Sequence, residues 1–200
     1  MIAVSVITTL RAMGRWPAGA QERLQEAAIE LFTERGYERT TVAEIAKRAG
    51  LTERTFYHHF ADKREVLFPD QGRFIAEIRE AVGVAPAEQS PLDAVLAAFT
   101  ATSDWFDQRR DASQRRRHIL DAHTDLQERE GAKMAALGEA IADALRTRGI
   151  YDPAATLTAT ISVAAYRLAS ARWLADPQRG ALGHHLHTSF DDLHRTAGTW

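Results

Sequence analysis

A chain of 200 residues with 45% hydrophobic and 26% charged residues has the composition of an ordinary globular protein of one domain, or one small module joined to a larger one. It contains no cysteine, which excludes a disulfide framework, a thiolate nucleophile and a cysteine-based zinc site and is consistent with a cytoplasmic protein. The formal charge of -2 argues against bulk coating of nucleic acid, so any binding to DNA must come from a local surface.

The chain opens on "MIAVSVITTL", an apolar stretch that ends at Arg11. It is too short to span a bilayer and lacks the basic segment that precedes the apolar run of a signal peptide. Residues 1–18 are expected to be a disordered extension, with Met13 as an alternative start. The next segment, "QERLQEAAIELFTERG", places Leu24, Ala27, Ala28, Leu31 and Phe32 on one helical face and stops at Gly36. In "TTVAEIAKRAG", Thr41 and Glu44 form a capping box, Val42, Ile45, Ala46 and Ala49 form the apolar stripe, and Gly50 ends the helix. A third helix then starts in "GLTERTFYHHF", with Thr52 as N-cap and Leu51 and Phe56 at staple spacing. "ADKREVLF" predicts the start of a fourth, with Asp62 and Glu65 as its cap pair.

Beyond Pro69 the predicted helices lengthen. Phe74, Ile75, Ile78 and Val82 mark one; "GVAPAEQSP" (83–91) is a linker by composition. Helices are expected over 92–108, 115–129, 130–148, 153–175 and about 180–196. No segment alternates with the period of a strand.

The two short helices joined by "AGLT" have helix-turn-helix spacing. With Phe56 and Phe60 turned inward, Arg54 and His58 fall near the centre of the opposite face, flanked by Thr55 and Tyr57. Arg can reach guanine O6 and N7, and Thr can touch a thymine methyl. Lys63 is expected in the first turn of the fourth helix. The helix dipole disfavours a cation there unless a phosphate is held by the free N–H groups beside it. Segment 39–63 carries Arg39, Lys47, Arg48, Arg54 and Lys63 against Glu44, Glu53 and Asp62, a mildly positive patch on an acidic chain.

"TTVAEIAKRAGLTERTFYHHFADKREVLF" resembles the DNA-binding domain of TetR-family transcriptional regulators, and the likeness extends over residues 21–68. The resemblance implies an all-α homodimer of about nine helices per chain, whose last two helices pair in a four-helix bundle, and a small-molecule pocket in the C-terminal domain. By the same resemblance Thr41 is a phosphate contact at the start of the second helix; Thr52, the N-cap of the third, stands with it among the candidate DNA-binding residues. Glu53, Arg54, Thr55 and His58 face the groove, and Tyr57, His59 and Lys63 meet the backbone. Pro69 departs from the family's continuous fourth helix and is expected to kink or restart it.

The C-terminal half is similar to a subgroup of that family with pockets for acyl-CoA-like or other lipophilic ligands, over "RRRHILDAHTDLQERE" and "KMAALGEAIADALRTRG". Phe99, Trp105, His123, Met134 and Tyr166 are the candidate pocket residues; core packing is the competing account of each. The helix 153–175 is rich in alanine and carries Leu157, Ile161, Leu168 and Trp173, candidates for a dimer interface because a palindromic operator demands a two-fold dimer. Adjacent His58 and His59 point about 100° apart and chelate one metal poorly. The tract His184, His185 and His187 is expected on a solvated or dimer-edge face. "RRDASQRRR" (109–117) is either a nucleic-acid patch or a set of arginines paired with Asp121, Asp125 and Glu128.

The resulting expectation has three parts: an extension over 1–18, a helix-turn-helix domain over 19–68, and a ligand-binding and dimerisation domain over 69–200. The protein is expected to be a cytoplasmic repressor, with no catalytic residue, metal or cofactor. A small lipophilic effector would release it from a palindromic operator in double-stranded DNA. Two alternatives stand beside it: a DNA-binding regulator without a small-molecule ligand, and a metal-dependent helical enzyme using His118 and His123 with Asp121 or Asp125.

Overall fold

A computed structural model describes residues 19–68 and 70–197. The expectations for residues 1–18 and for a kink at Pro69 lie outside the described residues. Within them the chain is all-helical: α1 Ala20–Arg35, α2 Val42–Arg48, α3 Glu53–His59, a short 3₁₀ turn Arg64–Leu67, α4 Gln71–Gly83, α5 Pro91–Asp107, α6 Arg110–Asp121, α7 Thr124–Thr147, α8 Asp152–Ala175 and α9 Leu182–Ala197. No described helix is long and apolar enough to cross a membrane.

The chain divides into two compact units. One contains the described residues up to Asp70 together with Asp111–Glu130; the other contains Gln71–Arg110 and the described residues from Gly131 onward. A boundary drawn at one point along the sequence does not express this division, because segment 111–130 packs with the helix-turn-helix.

In the first unit, the predicted stripe of α1 is buried: Leu24, Ala27, Ala28, Leu31 and Phe32 are all in the core. They meet Ile45 of α2 and Phe56 of α3, both 0% exposed, together with Phe60. Ile119, Leu120 and Leu126 from segment 111–130 complete the same core. The turn between α2 and α3 depends on Gly50, whose φ of 67° is in the left-handed region that a side chain resists. Its N–H donates to the Lys47 carbonyl at 3.1 Å and the N–H of Leu51 to that of Ala46 at 2.8 Å, which closes the end of α2.

Two helix boundaries differ from the sequence expectation. The fourth helix predicted from "ADKREVLF" is only the four-residue 3₁₀ turn, and α4 starts at Gln71. Asp62 does cap the turn, accepting from the N–H groups of Arg64 and Glu65 at 2.8 and 3.1 Å, but Phe68 then leaves helical geometry at φ −126° and ψ 51°. The carboxylate of Glu65, the other member of the expected cap pair, is bound by Arg129. The predicted break between 129 and 130 lies instead at Ala122–His123, between α6 and α7. Residues 129 and 130 lie inside α7, which continues through Gly131.

In the second unit α9 packs against α8 and α5, and α4 against α5. Ile78, Val82, Val95, Phe99, Leu137, Ile141, Leu145, Trp173, Leu186 and Phe190 form its core. Ser90 caps α5, accepting from the Asp93 N–H at 3.2 Å, and Pro91 occupies the first turn, where a missing N–H costs nothing. Buried Arg110 ties the α8–α9 connection, donating to the carbonyls of Trp173, Asp176 and Gly180 and lying over the Trp173 ring.

Phe56→Ala removes a fully buried ring from the first unit and is expected to destabilise it by about 3–5 kcal/mol, measured by chemical denaturation followed by circular dichroism.

Candidate nucleic-acid interface

The outer face of α3 is set by its inner one. With Phe56 and Phe60 buried, Glu53, Arg54, Tyr57, His58 and His59 are exposed and Thr55 is half-buried. Thr52 is the N-cap: its hydroxyl accepts from the Thr55 N–H at 3.2 Å and lies 2.9 Å from the Thr55 hydroxyl. The two threonines therefore rigidify the first turn of α3. Tyr57, 57% exposed, has its ring edge-on to Phe56 at 5.6 Å, so an apolar anchor steadies an outward phenol. The His58 and His59 rings lie 5.1 Å apart with their planes at 77°. Among the described residues no group of three or more His, Cys, Asp and Glu side chains could hold a metal.

At the start of α2, Thr41 and Glu44 form the predicted capping box. The Thr41 N–H donates to Glu44 at 2.8 Å and the Glu44 N–H to the Thr41 hydroxyl at 3.3 Å. The Thr41 hydroxyl also donates to the Glu44 carboxylate, at 2.9 Å, and the backbone and side-chain hydrogen bonds from Thr41, with Arg35 beside them, hold the Glu44 pKa below the usual range.

The positive patch is narrower than its sequence suggests. Arg48 binds Glu34 through two nitrogens, at 3.0 and 2.8 Å, and Glu30 at 3.0 Å. Arg39 donates to the Arg35 carbonyl at 2.7 Å. Lys47 and Arg54 alone of the five cations form no hydrogen bond or ion pair within the described residues. Lys47 was not among the predicted site residues. Glu44 lies at pairing distance from Lys47 along the helix but is taken by Thr41 and Arg35, so spacing alone did not mark this lysine as unpaired.

Lys63 occupies a different setting from the one its sequence position implied. Its amine donates to the carbonyls of Tyr37 at 2.9 Å and Thr40 at 3.2 Å, and lies 4.1 Å from the centre of the Tyr37 ring. The N–H groups expected to hold a phosphate beside it are instead bound by Asp62. Tyr37 is buried, and that burial, with the Asp125 charge as a smaller cause, pushes its pKa up to about 12, so its ring stays neutral. His123 packs on the same ring, centroids 5.1 Å apart. The sequence did not single out Tyr37; its place directly after Gly36 marked a turn and gave no sign of the cation above its ring.

The remaining candidates separate. His123 belongs to the first unit, whereas Phe99, Trp105, Met134 and Tyr166 belong to the second. Phe99 and Tyr166 stack at 4.6 Å, Phe74 lies 6.0 Å from Tyr166, and Met134 packs against the same core. Trp105 sits edge-on to Phe106 at 4.9 Å with Arg109 over its ring. An open depression of about 520 Å³ on this unit is lined by Gln89, Asp93, Leu96, Ala97, Thr100, Ala101 and His187, and includes none of the predicted pocket residues. On α8, Leu157 and Leu168 are 63% and 45% exposed and Ile161 is half-buried. Trp173, in contrast, is 2% exposed and is a core residue of its own chain, unavailable to a partner surface. In the arginine-rich run, Arg117 pairs with Glu130 at 2.6 Å and Asp121 at 2.8 Å, and Arg116 with Glu130 at 3.6 Å. His118 is exposed, so the convergence that a metal enzyme would need is not found among the described residues. His185 pairs with Asp176 at 3.1 Å, while His184 and His187 are exposed.

Lys63→Ala breaks two charge-assisted hydrogen bonds and is expected to lower the stability of the first unit by about 1–3 kcal/mol. Arg54→Ala, at an exposed and unpaired position, should change it by less than about 0.5 kcal/mol in the same denaturation measurement.

Comparison with known proteins agrees with this architecture. Residues 24–68 match the family described as bacterial regulatory proteins, tetR family, and residues 89–198 match the family described as the MftR C-terminal domain. The chain is 40% identical over 81 residues to the HTH-type transcriptional regulator TcmR of Streptomyces glaucescens, covering 40% of this chain and 36% of TcmR. The first three curated relatives are matched over only 36%, 28% and 39% of their own length. Among solved structures, the chain is similar to Thermus thermophilus FadR, a TetR-family repressor in complex with lauroyl-CoA, with a TM-score of 0.55 and 26% identity over 86% of this chain and 91% of FadR. It shares its fold with SmeT in a triclosan complex, with a TM-score of 0.62 and 21% identity over 86% of this chain and 88% of that one; SmeT is the repressor of a Stenotrophomonas maltophilia efflux pump. With its helix-turn-helix and its C-terminal helical region both matched, the chain belongs to the TetR family of bacterial regulators.

Proposed function

We propose that this protein is a sequence-specific DNA-binding repressor, acting as a homodimer on a palindromic operator and released by a small lipophilic ligand. The observation that carries the proposal is the face of α3. It is exposed, capped and oriented by buried Phe56 and Phe60, and it presents Arg54 without an internal partner. An unpaired guanidinium on a rigid helix face suits bidentate contact with guanine O6 and N7. Glu53, Thr55 and His58 flank it on the groove side; Thr41, Thr52, Tyr57 and His59 stand toward the backbone. Lys47 is added to that group. Lys63 contributes by holding the turn behind α3 to the Tyr37 and Thr40 carbonyls.

The stripe of exposed Leu157, Ala164 and Leu168 with half-buried Ile161 on α8 supports the dimer. It recurs at helical spacing on the side opposite the buried Ala155, Ala159, Ala165 and Ala169. A two-fold dimer suits a palindromic operator, whose half-sites lie about 34–36 Å apart. For the ligand, the aromatic group of Phe74, Phe99, Phe106 and Tyr166 in the second unit offers an apolar lining, and FadR, similar over most of both chains, is bound to lauroyl-CoA. A ligand acts by binding one conformer of the dimer more tightly than the other, a coupling typically worth about 1–3 kcal/mol.

Selection of bound duplexes from a random pool should enrich a palindrome. Against it, Arg54→Ala is expected to cost roughly 1–3 kcal/mol of affinity and relax the preference at one base pair per half-site; a random pool left unenriched would sink the proposal. Leu168→Glu is expected to shift the protein from dimer to monomer in sedimentation velocity. Long-chain acyl-CoA should release the selected duplex in a titration followed by fluorescence anisotropy, and no release by any lipophilic compound would favour a regulator without a small-molecule effector.

A further inference from the structure

We infer that the Ser162 hydroxyl is the polar contact of the effector site, so that the effector carries a ketone or hydroxyl oxygen within its apolar body. The inference rests on the effector-binding part of the function proposed above.

Among the described residues, six polar or charged side chains are buried: Thr40, Thr102, Ser103, Arg110, Ser162 and Ser189. Five of them have hydrogen-bond partners. The hydroxyls of Thr40, Thr102 and Ser103 donate to the carbonyls of Gly36, Phe99 and Thr100 at 2.9, 2.8 and 2.8 Å. Ser189 accepts from Arg172 at 3.4 Å, and Arg110 donates to three carbonyls. Ser162 is 0% exposed, and its hydroxyl has no partner among the described residues. A helical hydroxyl can bond the carbonyl four residues back. On α8 the Thr160 hydroxyl does so, to Thr156 at 2.8 Å, and that of Ser162 does not. A buried hydroxyl left unpaired is destabilising and calls for a partner.

Size does not account for the serine. On the buried face of α8 it stands in a row with Ala155, Ala159, Ala165 and Ala169, where alanine fits without that cost. Tyr166 lies one turn further along the helix, within side-chain reach of Ser162. Its ring stacks on Phe99 at 4.6 Å and is 6.0 Å from Phe74, which meets Phe106 at 5.8 Å. Four rings beside one buried hydroxyl have the composition of a small-molecule site, apolar with a single polar group to fix orientation. Ser162 is ten residues from the start of α8 and thirteen from its end, about 15 and 20 Å along the axis. An oxygen that reaches it therefore belongs to the body of the ligand and not to a headgroup held at the surface. The other polar atoms of α8 without partners are set differently: Ser170 is half-buried, and the Trp173 indole lies under the Arg110 guanidinium. A conformer that admits the effector gains a hydrogen bond that the free protein lacks, and such a difference lets a ligand shift an equilibrium.

The test titrates the full-length protein, by calorimetry, with 2-acetylnaphthalene and with 2-isopropenylnaphthalene, in which a methylene replaces the carbonyl oxygen without changing the shape. The ratio of ketone to alkene affinity should be about three- to tenfold higher for wild type than for S162A. Thermal unfolding without ligand distinguishes this role from a structural one. S162A removes an unpaired hydroxyl and should keep or raise the wild-type midpoint, whereas S103A breaks a hydrogen bond and should lower it while retaining the wild-type affinity ratio. Wild type that binds neither compound, S162A with the wild-type ratio, or an S162A midpoint lowered as far as that of S103A overturns the inference. Those outcomes leave the DNA-binding function intact; failure of wild-type protein to select any duplex overturns the proposed function itself.

Discussion

The burial of Phe56 and Phe60 is the constraint on which the outer face of α3 depends. A seven-residue helix has too few hydrogen bonds to be stable alone and carries no orientation of its own. Two rings on one side, inserted among Leu24, Phe32 and Ile45, fix its rotation about its axis. Once that rotation is fixed, the opposite side can only be Arg54 and His58. Gly50 sets the angle of entry, since its left-handed φ turns the chain sharply between α2 and α3. The side chains that face solvent are thus selected by the side chains that do not.

Around that helix, charge is arranged by subtraction. Segment 39–63 shows five cations in sequence, but three are spent on the protein itself: Arg48 on Glu30 and Glu34, Arg39 on a carbonyl, Lys63 on two carbonyls and a tyrosine ring. Lys47 and Arg54 remain. Exposed pairs such as those of Arg48 contribute little stability, yet they decide which cations remain available to a phosphate or a base edge. A surface that neutralises most of its own charge keeps non-specific attraction to DNA modest and leaves discrimination to a few positions.

The second unit follows different rules. Its core is built from long helices, with α9 against both α8 and α5, and its small residues lie where those helices approach each other. One side of α8 is alanine and serine packed inward; the other exposes leucines that a single chain leaves in water. Burying those leucines against a second copy recovers apolar surface at roughly 25 cal/mol per Å². The stacked Phe99 and Tyr166 and the adjacent Phe74 pack as an aromatic group in the core of the same unit.

Local patterns in the sequence determined the element types, the two-helix motif, the capping box at Thr41–Glu44, the N-cap at Thr52, the stop at Gly50 and the outward face of α3. Each of these rests on interactions within a few residues, which spacing alone expresses. Tertiary structure decided the rest. It cut the fourth helix to a 3₁₀ turn, moved Lys63 from an expected helix N-terminus to the carbonyls of Tyr37 and Thr40, and buried Trp173 beneath Arg110. It also put His123 beside Tyr37 in the first unit, apart from the aromatic residues of the second. These outcomes depend on partners tens of residues away, and a side chain's spacing within its own helix does not say which distant carbonyl, ring or carboxylate will take its charge.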